Sequence, residues 1–190
     1  QEPVAYPFFL SHPQHLVIGD TAISSFPLDH NLYLYNINSG EYLGSICGSS
    51  EHTGNLLPPF GYEQSSEDPQ ISRDFLAGAG YYGKLQYHAE SGLISRYALH
   101  PREARMADGK LNTGNDRACS VVLFDRTLKK VGEHVFEEGQ PYAGGGGSFQ
   151  YYNTGIATSN GFLVSKKQPF VQNDDTLAIA ARMVFVPFTQ

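Results

Sequence analysis

The 190 residues are 41% hydrophobic, 13% aromatic and 17% charged, enough for a single domain to bury a sizeable core without disulfides or metal. Thirteen Lys and Arg stand against nineteen Asp and Glu, a net charge of -6, and the only basic doublets are 129-KK-130 and 166-KK-167, which weighs against nucleic acid as a partner. Apolar runs fall well short of the roughly 20 residues that span a bilayer, and no basic-then-apolar leader opens the chain, so the expectation is a soluble chain or the soluble part of one.

Twenty Gly, eleven Pro, twelve Tyr and twelve Phe, with few helix-forming runs, predict strands joined by many turns. The first candidate strand is 15-HLVIGD-20. In 32-LYLYNINSGEYLGSI-46, Leu32 and Leu34 take one face and Tyr33 and Tyr35 the other, so both faces want cover. Asn38, Ser39 and Gly40 supply the turn of a bulged hairpin whose return strand is 41-EYLGSI-46. The phrase returns at 85-LQYHAESGLISRYAL-99, with Tyr87, Ser91 and Gly92 in the register of Tyr35, Ser39 and Gly40. A third copy, 121-VVLFDRTLKKVGEHVF-136, lacks the turn glycine and is one residue shorter. A fainter fourth copy is 161-GFLVSKKQPF-170 with 176-TLAIAARMVFV-186 as its return, preceded by a candidate strand in 151-YYNTGIATS-159.

The markers Tyr35, Tyr87, Phe124 and Val164 are spaced by 52, 37 and 40 residues. Strand pairs recurring about every 40 to 50 residues are the signature of propeller blades. The expected fold is therefore all-β, a β-propeller-like array of about four antiparallel blades that closes alone or forms an arc of a larger, six- to eight-bladed ring. One domain spans 1–190, in units of roughly 1–50, 51–100, 101–148 and 149–190. A β-sandwich with hairpins of similar length is the alternative. The connections 48–70, 101–117 and 137–148 are long and polar and read as rim loops, with a short helical turn within 101-PREARMAD-108. Cys47 and Cys119 match no metal or redox spacing and read as two small buried thiols, with a disulfide as the alternative.

Three stretches, 81-YYGKLQYHAESGLISRYALHP-101, 117-RACSVVLFDRTLKKVGEHVF-136 and 161-GFLVSKKQPF-170 with 173-NDDTLAIA-180, together with the opening hairpin, resemble uncharacterised β-propeller-like proteins of Bacteroidetes, secreted or lipid-anchored and related in architecture to six-bladed TolB-like propellers. The resemblance covers most of the chain in order and matches the C-terminal part of proteins about twice as long. It implies a cell-envelope location, periplasmic or on the outer-membrane surface, and an interaction or ligand-binding role. It supplies no catalytic residues.

Direct signals of chemistry are weak. His12 and His15 in 11-SHPQH-15 have metal-ligand spacing, but Pro13 opposes a helix presenting both, so they read as loop histidines and no metal or cofactor is expected. The run 144-GGGG-147 lacks the Lys and Ser/Thr of a phosphate loop and reads as a turn. The pairs Glu137 with Glu138 and Asp174 with Asp175 are adjacent in sequence, so they do not share a strand face. The binding candidates are Tyr81, Tyr82, Arg96, Tyr97 and Arg117, at strand ends where aromatic faces and guanidinium forks can meet a sugar, peptide or carboxylate. The competing reading packs the tyrosines between blades and pairs Arg96 with Asp125 or Glu133. The repeat, the long polar loops and the missing catalytic constellation, with the envelope location that the resemblance implies, lead to a non-catalytic envelope module that binds a protein partner, a second chain completing the ring, or a glycan or peptide ligand in a surface complex. The alternative is a polysaccharide-acting hydrolase or lyase with its site in the propeller funnel.

Overall fold

Alternating apolar residues and local turn chemistry build two four-stranded antiparallel sheets, each a simple meander. The computed structural model describes residues 12–54, 68–112 and 117–136, residues 56, 158 and 160, and the short strands outside them. In chain order, β1 (Val4–Ala5) pairs with β6 (Phe60–Gly61). The first sheet lies between them and runs β2 (Gln14–Ile18), β3 (Thr21–Ser25), β4 (Asn31–Asn36) and β5 (Tyr42–Cys47). Helix α1 (Pro69–Gly78) precedes the second sheet, formed by β7 (Tyr81–His88), β8 (Leu93–Leu99), β9 (Cys119–Phe124) and β10 (Lys130–Phe136). The C-terminal strands are β11 (Ile156–Ala157), β12 (Gly161–Lys166), β13 (Val171–Asn173), β14 (Thr176–Ala178) and β15 (Arg182–Pro187). The all-β expectation holds, with one helix among the described residues.

The repeated phrase reflects a repeated turn. Gly40 at φ 71° donates its N–H to Asn36 O, and Gly92 at φ 69° donates to His88 O, each at 2.8 Å. A left-handed φ is nearly free only for glycine. In the first turn the side chain of Asn36, rather than Asn38, accepts from the backbone, taking the N–H groups of Asn38 and Ser39 at 2.9 and 3.0 Å. The third copy, with no glycine, puts Leu128 into the same region at φ 65°. Its turn is held by the Asp125 carboxylate, which accepts from the N–H of Thr127 and of Lys129. Asp125 is therefore a turn residue.

Two expectations change. The stretch 101–108 is not a helical turn: Arg105 bridges Leu111 around a tight turn at Met106–Gly109. The helix lies earlier, where Asp68 caps the N–H of Gln70 at 2.8 Å and Pro69 opens the first turn. The phrases 85–99 and 121–136 share one sheet, because Leu99 pairs with Cys119 and Ile94 with Phe124, and residues 100–118 are an excursion between neighbouring strands. In the fourth copy, β12 pairs with β15, while β13 and β14 form a separate hairpin.

The sheets stack face to face. Ile23 and Leu32 of the first sheet meet Leu85, Ile94, Val122 and Phe124 of the second, with Leu16, Leu34 and Ile46 at the margin. Each such buried side chain stabilises the stack by about 1.5–3 kcal/mol. The opposite face of the second sheet, with Tyr81, Tyr97, Leu99, Val121 and Leu123, packs with Phe75 of α1. One face thus defines a seam with the first sheet and the other a helix-covered core.

Candidate functional site at the seam between the sheets

Strand parity decides where each candidate residue goes. On β8, Arg96 points into the seam in the cross-strand row Leu85–Arg96–Val122–Glu133, and Tyr97 points to the helix side. Tyr82 shares the seam with Arg96, whose guanidinium carbon lies 3.5 Å from the tyrosine ring centre. Tyr81 and Arg117 lie with Tyr97 on the other side. The five candidates are all buried and divide between the two faces of one sheet, so they do not converge on one exposed rim.

Arg96 is fully buried, and each of its five N–H groups finds an acceptor. Nε donates to Ser25 Oγ at 2.9 Å; Nη1 donates to the carbonyls of His30 and Gly48, at 2.8 and 3.0 Å; Nη2 donates to those of Phe26 and Asp29, at 3.2 and 2.6 Å. Its partners are therefore backbone carbonyls and Ser25, all from the first sheet and its loops, and neither Asp125 nor Glu133 is among them. Burial pulls its pKa down to about 10, against the opposing pull of Tyr82 and Asp29, and it stays charged at neutral pH. Gly48 can approach because it has no side chain: a Cβ there would lie 2.9 Å from Leu32 Cγ.

The Tyr82 hydroxyl adds a second tie. It meets His30 Nδ1 at 2.6 Å and Thr53 Oγ1 at 2.9 Å, and accepts the N–H of Ser50 at 3.1 Å. Arg117 serves the helix instead. Its guanidinium donates to the carbonyls of Leu76, Ala77, Gly78 and Ala79, the orphan acceptors at the C-terminus of α1.

Beside this junction lies a polar cluster built on Glu133, which the sequence offered only as a possible partner of Arg96, and on Ser50 and Glu51 of a stretch read as a loop. Oε1 of Glu133 accepts the hydroxyls of Ser120, at 2.6 Å, and of Ser50. Oε2 accepts the N–H of Glu51 at 3.0 Å and the Lys130 ammonium at 2.8 Å. Burial alone would raise the Glu133 pKa, but Lys130, Ser120, Ser50 and the Glu51 N–H overcome it and hold the carboxyl at about 2. Burial likewise opposes the charge of Lys130, and Glu133 and Glu51 outweigh it and raise the pKa. The rings of His52 and His100 stack 4.9 Å apart near the same loop, and burial, followed by His52, lowers His100 to about 4.

The chemistry open to this cluster is narrow. Each serine spends its one proton on Glu133, and a carboxylate with a pKa of about 2 is too weak a base to activate a hydroxyl at neutral pH. Parity was the signal for Glu133: it pairs with Val122 and so shares that residue's inward face. Nothing comparable marked Ser50 or Thr53, whose partners lie far along the chain. The run 144–147 and the pairs 137–138 and 174–175 lie outside the described residues. His15 bonds Ser24 Oγ through Nδ1 at 2.9 Å. Both cysteines are free thiols, Cys119 buried as expected and Cys47 exposed on β5.

Fold and seam together define an all-β protein of stacked meander sheets whose junction is locked by buried polar side chains. Among solved structures, a member of the DUF4221 family from Bacteroides vulgatus shares this fold, with a TM-score of 0.57 at 15% sequence identity. The match covers 87% of this chain and 40% of that one, so the chain spans well under half the length of this neighbour. Its source agrees with the Bacteroidetes resemblance read from the sequence. No family model matches the sequence, and no curated protein does.

Proposed function

We propose that this chain is a non-catalytic, propeller-type module of the bacterial cell envelope that binds a protein partner or ligand as part of a surface complex. The observation that carries the reading is how the polar groups of the seam are used. Arg96, Tyr82 and Glu133 are the residues best equipped for recognition or proton transfer, and all are spent on holding one sheet to the other. A stiff stack of this kind suits a scaffold that offers its loops and outer faces to another molecule. The likeness to a longer chain supports a module that works within a larger body.

Native extraction in mild detergent, followed by sizing and mass spectrometry of whatever copurifies, tests the proposal. A stoichiometric second polypeptide or ligand is the expected result, and a lone particle with no bound molecule would overturn it. A glycan panel tests the enzymatic alternative: no turnover is expected, and turnover that is lost in Glu133→Gln while the fold persists would replace the proposal.

A further inference from the structure

The loop that follows β5 is fastened to the second sheet by hydrogen bonds and by a ring stack. The Tyr82 hydroxyl accepts the N–H of Ser50 and meets the hydroxyl of Thr53, a fully buried residue. Glu133 accepts the N–H of Glu51 and the hydroxyl of Ser50. Beside these bonds the exposed His52 lays its ring on that of His100, with 4.9 Å between centroids and 20° between planes. His100 directly follows β8, and its Nε2 is buried with no hydrogen-bond partner among the described residues. Two neutral rings can stack in this way, but a proton on His100 has nowhere favourable to sit. Its Nε2–H would lack an acceptor in a place cut off from water, against the face of His52. Arg117, whose Nε donates to the His100 carbonyl, adds a fixed positive charge. Glu133 is the opposing carboxylate, and its oxygens are already taken by Ser50, Ser120, Glu51 and Lys130. The other titratable groups around the loop are Glu51 and Lys130, which pair with each other, and His30, which meets the Tyr82 hydroxyl.

We propose that the stacked pair is an acid-released latch: protonation of His100 frees loop 49–54 from the second sheet while the two sheets stay joined. Burial, then His52, holds His100 down to about 4 in the closed loop, and opening returns it toward the ordinary 6.5. The neutral ring therefore favours the closed loop above pH 6.5, and that preference is lost as the pH falls toward 4. Glu133, held at about 2, keeps its charge throughout this window, and Arg96, at about 10, keeps the seam locked. Acid thus releases one polar loop and leaves the junction intact. The latch belongs to the chain's own loop and holds with or without a bound partner.

Amide hydrogen exchange on the whole gene product tests the latch, with each rate divided by that of an unstructured peptide at the same pH. The amides of Ser50, Glu51 and His52 report on it, because in the closed loop each donates to a side chain: Tyr82, Glu133 and Ser50 in turn. Protection in 49–54 should fall about tenfold from about pH 7.5 to about pH 5.5, the change that a pKa moving between 4 and 6.5 produces. Throughout, the loop should exchange faster than β7–β10, since it opens on its own. His88, also lowered to about 4, lies within β7 and acts on the sheet, so comparing loop with sheet separates the two. In His100→Phe, which keeps a ring against His52 but takes no proton, the fall in 49–54 should shrink to less than about twofold. A loop that opens only together with β7–β10, or a tenfold fall that survives His100→Phe, would overturn the proposal. Should His100→Phe not fold, His52→Lys replaces an exposed ring with a fixed charge beside His100. Its loop at neutral pH should then exchange as fast as the unaltered loop does in acid, and unchanged protection would equally overturn the latch.

Discussion

Arg96 concentrates the account in one side chain. Its substitution by Met leaves Ser25 Oγ and four carbonyls of the first sheet and its loops without their donor, in a place water does not reach. Urea unfolding should show a loss of about 3–5 kcal/mol. Arg96→Lys, which keeps the charge but not the planar fork, should recover only part of it. Glu133 makes a pH prediction whose sign is fixed. Its folded pKa of about 2 lies below the ordinary 4.5, so its contribution is fully present above pH 4.5 and is lost as the pH falls toward 2. His88 acts in a higher window. Burial, then Lys84, lowers it from 6.5 to about 4, so the neutral ring stabilises the fold above pH 6.5 and that contribution fades as the pH falls through 4. Thermal unfolding across pH should show both losses, with His100, also lowered to about 4, adding to the upper one; Glu133→Gln should flatten the lower one.

The turns and the helix carry the predictions that belong to single elements. A Cβ at Gly40 would meet no atom within 4 Å, so Gly40→Ala tests backbone strain alone and should cost about 1 kcal/mol in chemical unfolding. Arg117→Met removes the donors from four carbonyls at the end of α1 and should release amide protection in 69–79 before the sheets open, as read by hydrogen exchange. The turns were legible in the sequence because their chemistry is local: a side chain and a glycine within five residues decide them. Leu128 was not legible, because in the register of Tyr35 and Phe124 the place of Gly40 falls on Lys129 and the third copy is one residue shorter. The helix left an equally local signature in 68-DPQISRDFLAG-78, with its cap, its opening proline and its closing glycine, but the polar stretch before it obscured that signal. Pairing of β8 with β9 was not legible, since the 100–118 excursion separates strands that local pattern assigned to different units.

For the molecule as a whole, composition was enough to indicate an all-β chain; the repeat spacing was read as propeller blades, of which the described residues establish two four-stranded antiparallel sheets and not a ring. The candidate site was half visible. Tyr82 and Arg96 stood out as residues, but whether they faced solvent or a second sheet depended on which sheet lay opposite, and that information sits about 30 to 70 positions away, in Ser25, His30, Ser50 and Thr53. The central claim is that these groups make two sheets into one cooperative body. The most direct measurement is hydrogen exchange followed by mass spectrometry on Arg96→Met beside the unaltered chain. The account predicts that protection falls together in β3–β5 and β7–β10, because unlocking the seam frees both sheets. Protection lost in the second sheet alone, or unchanged in both, would mean that the sheets hold together without Arg96 and would contradict the claim.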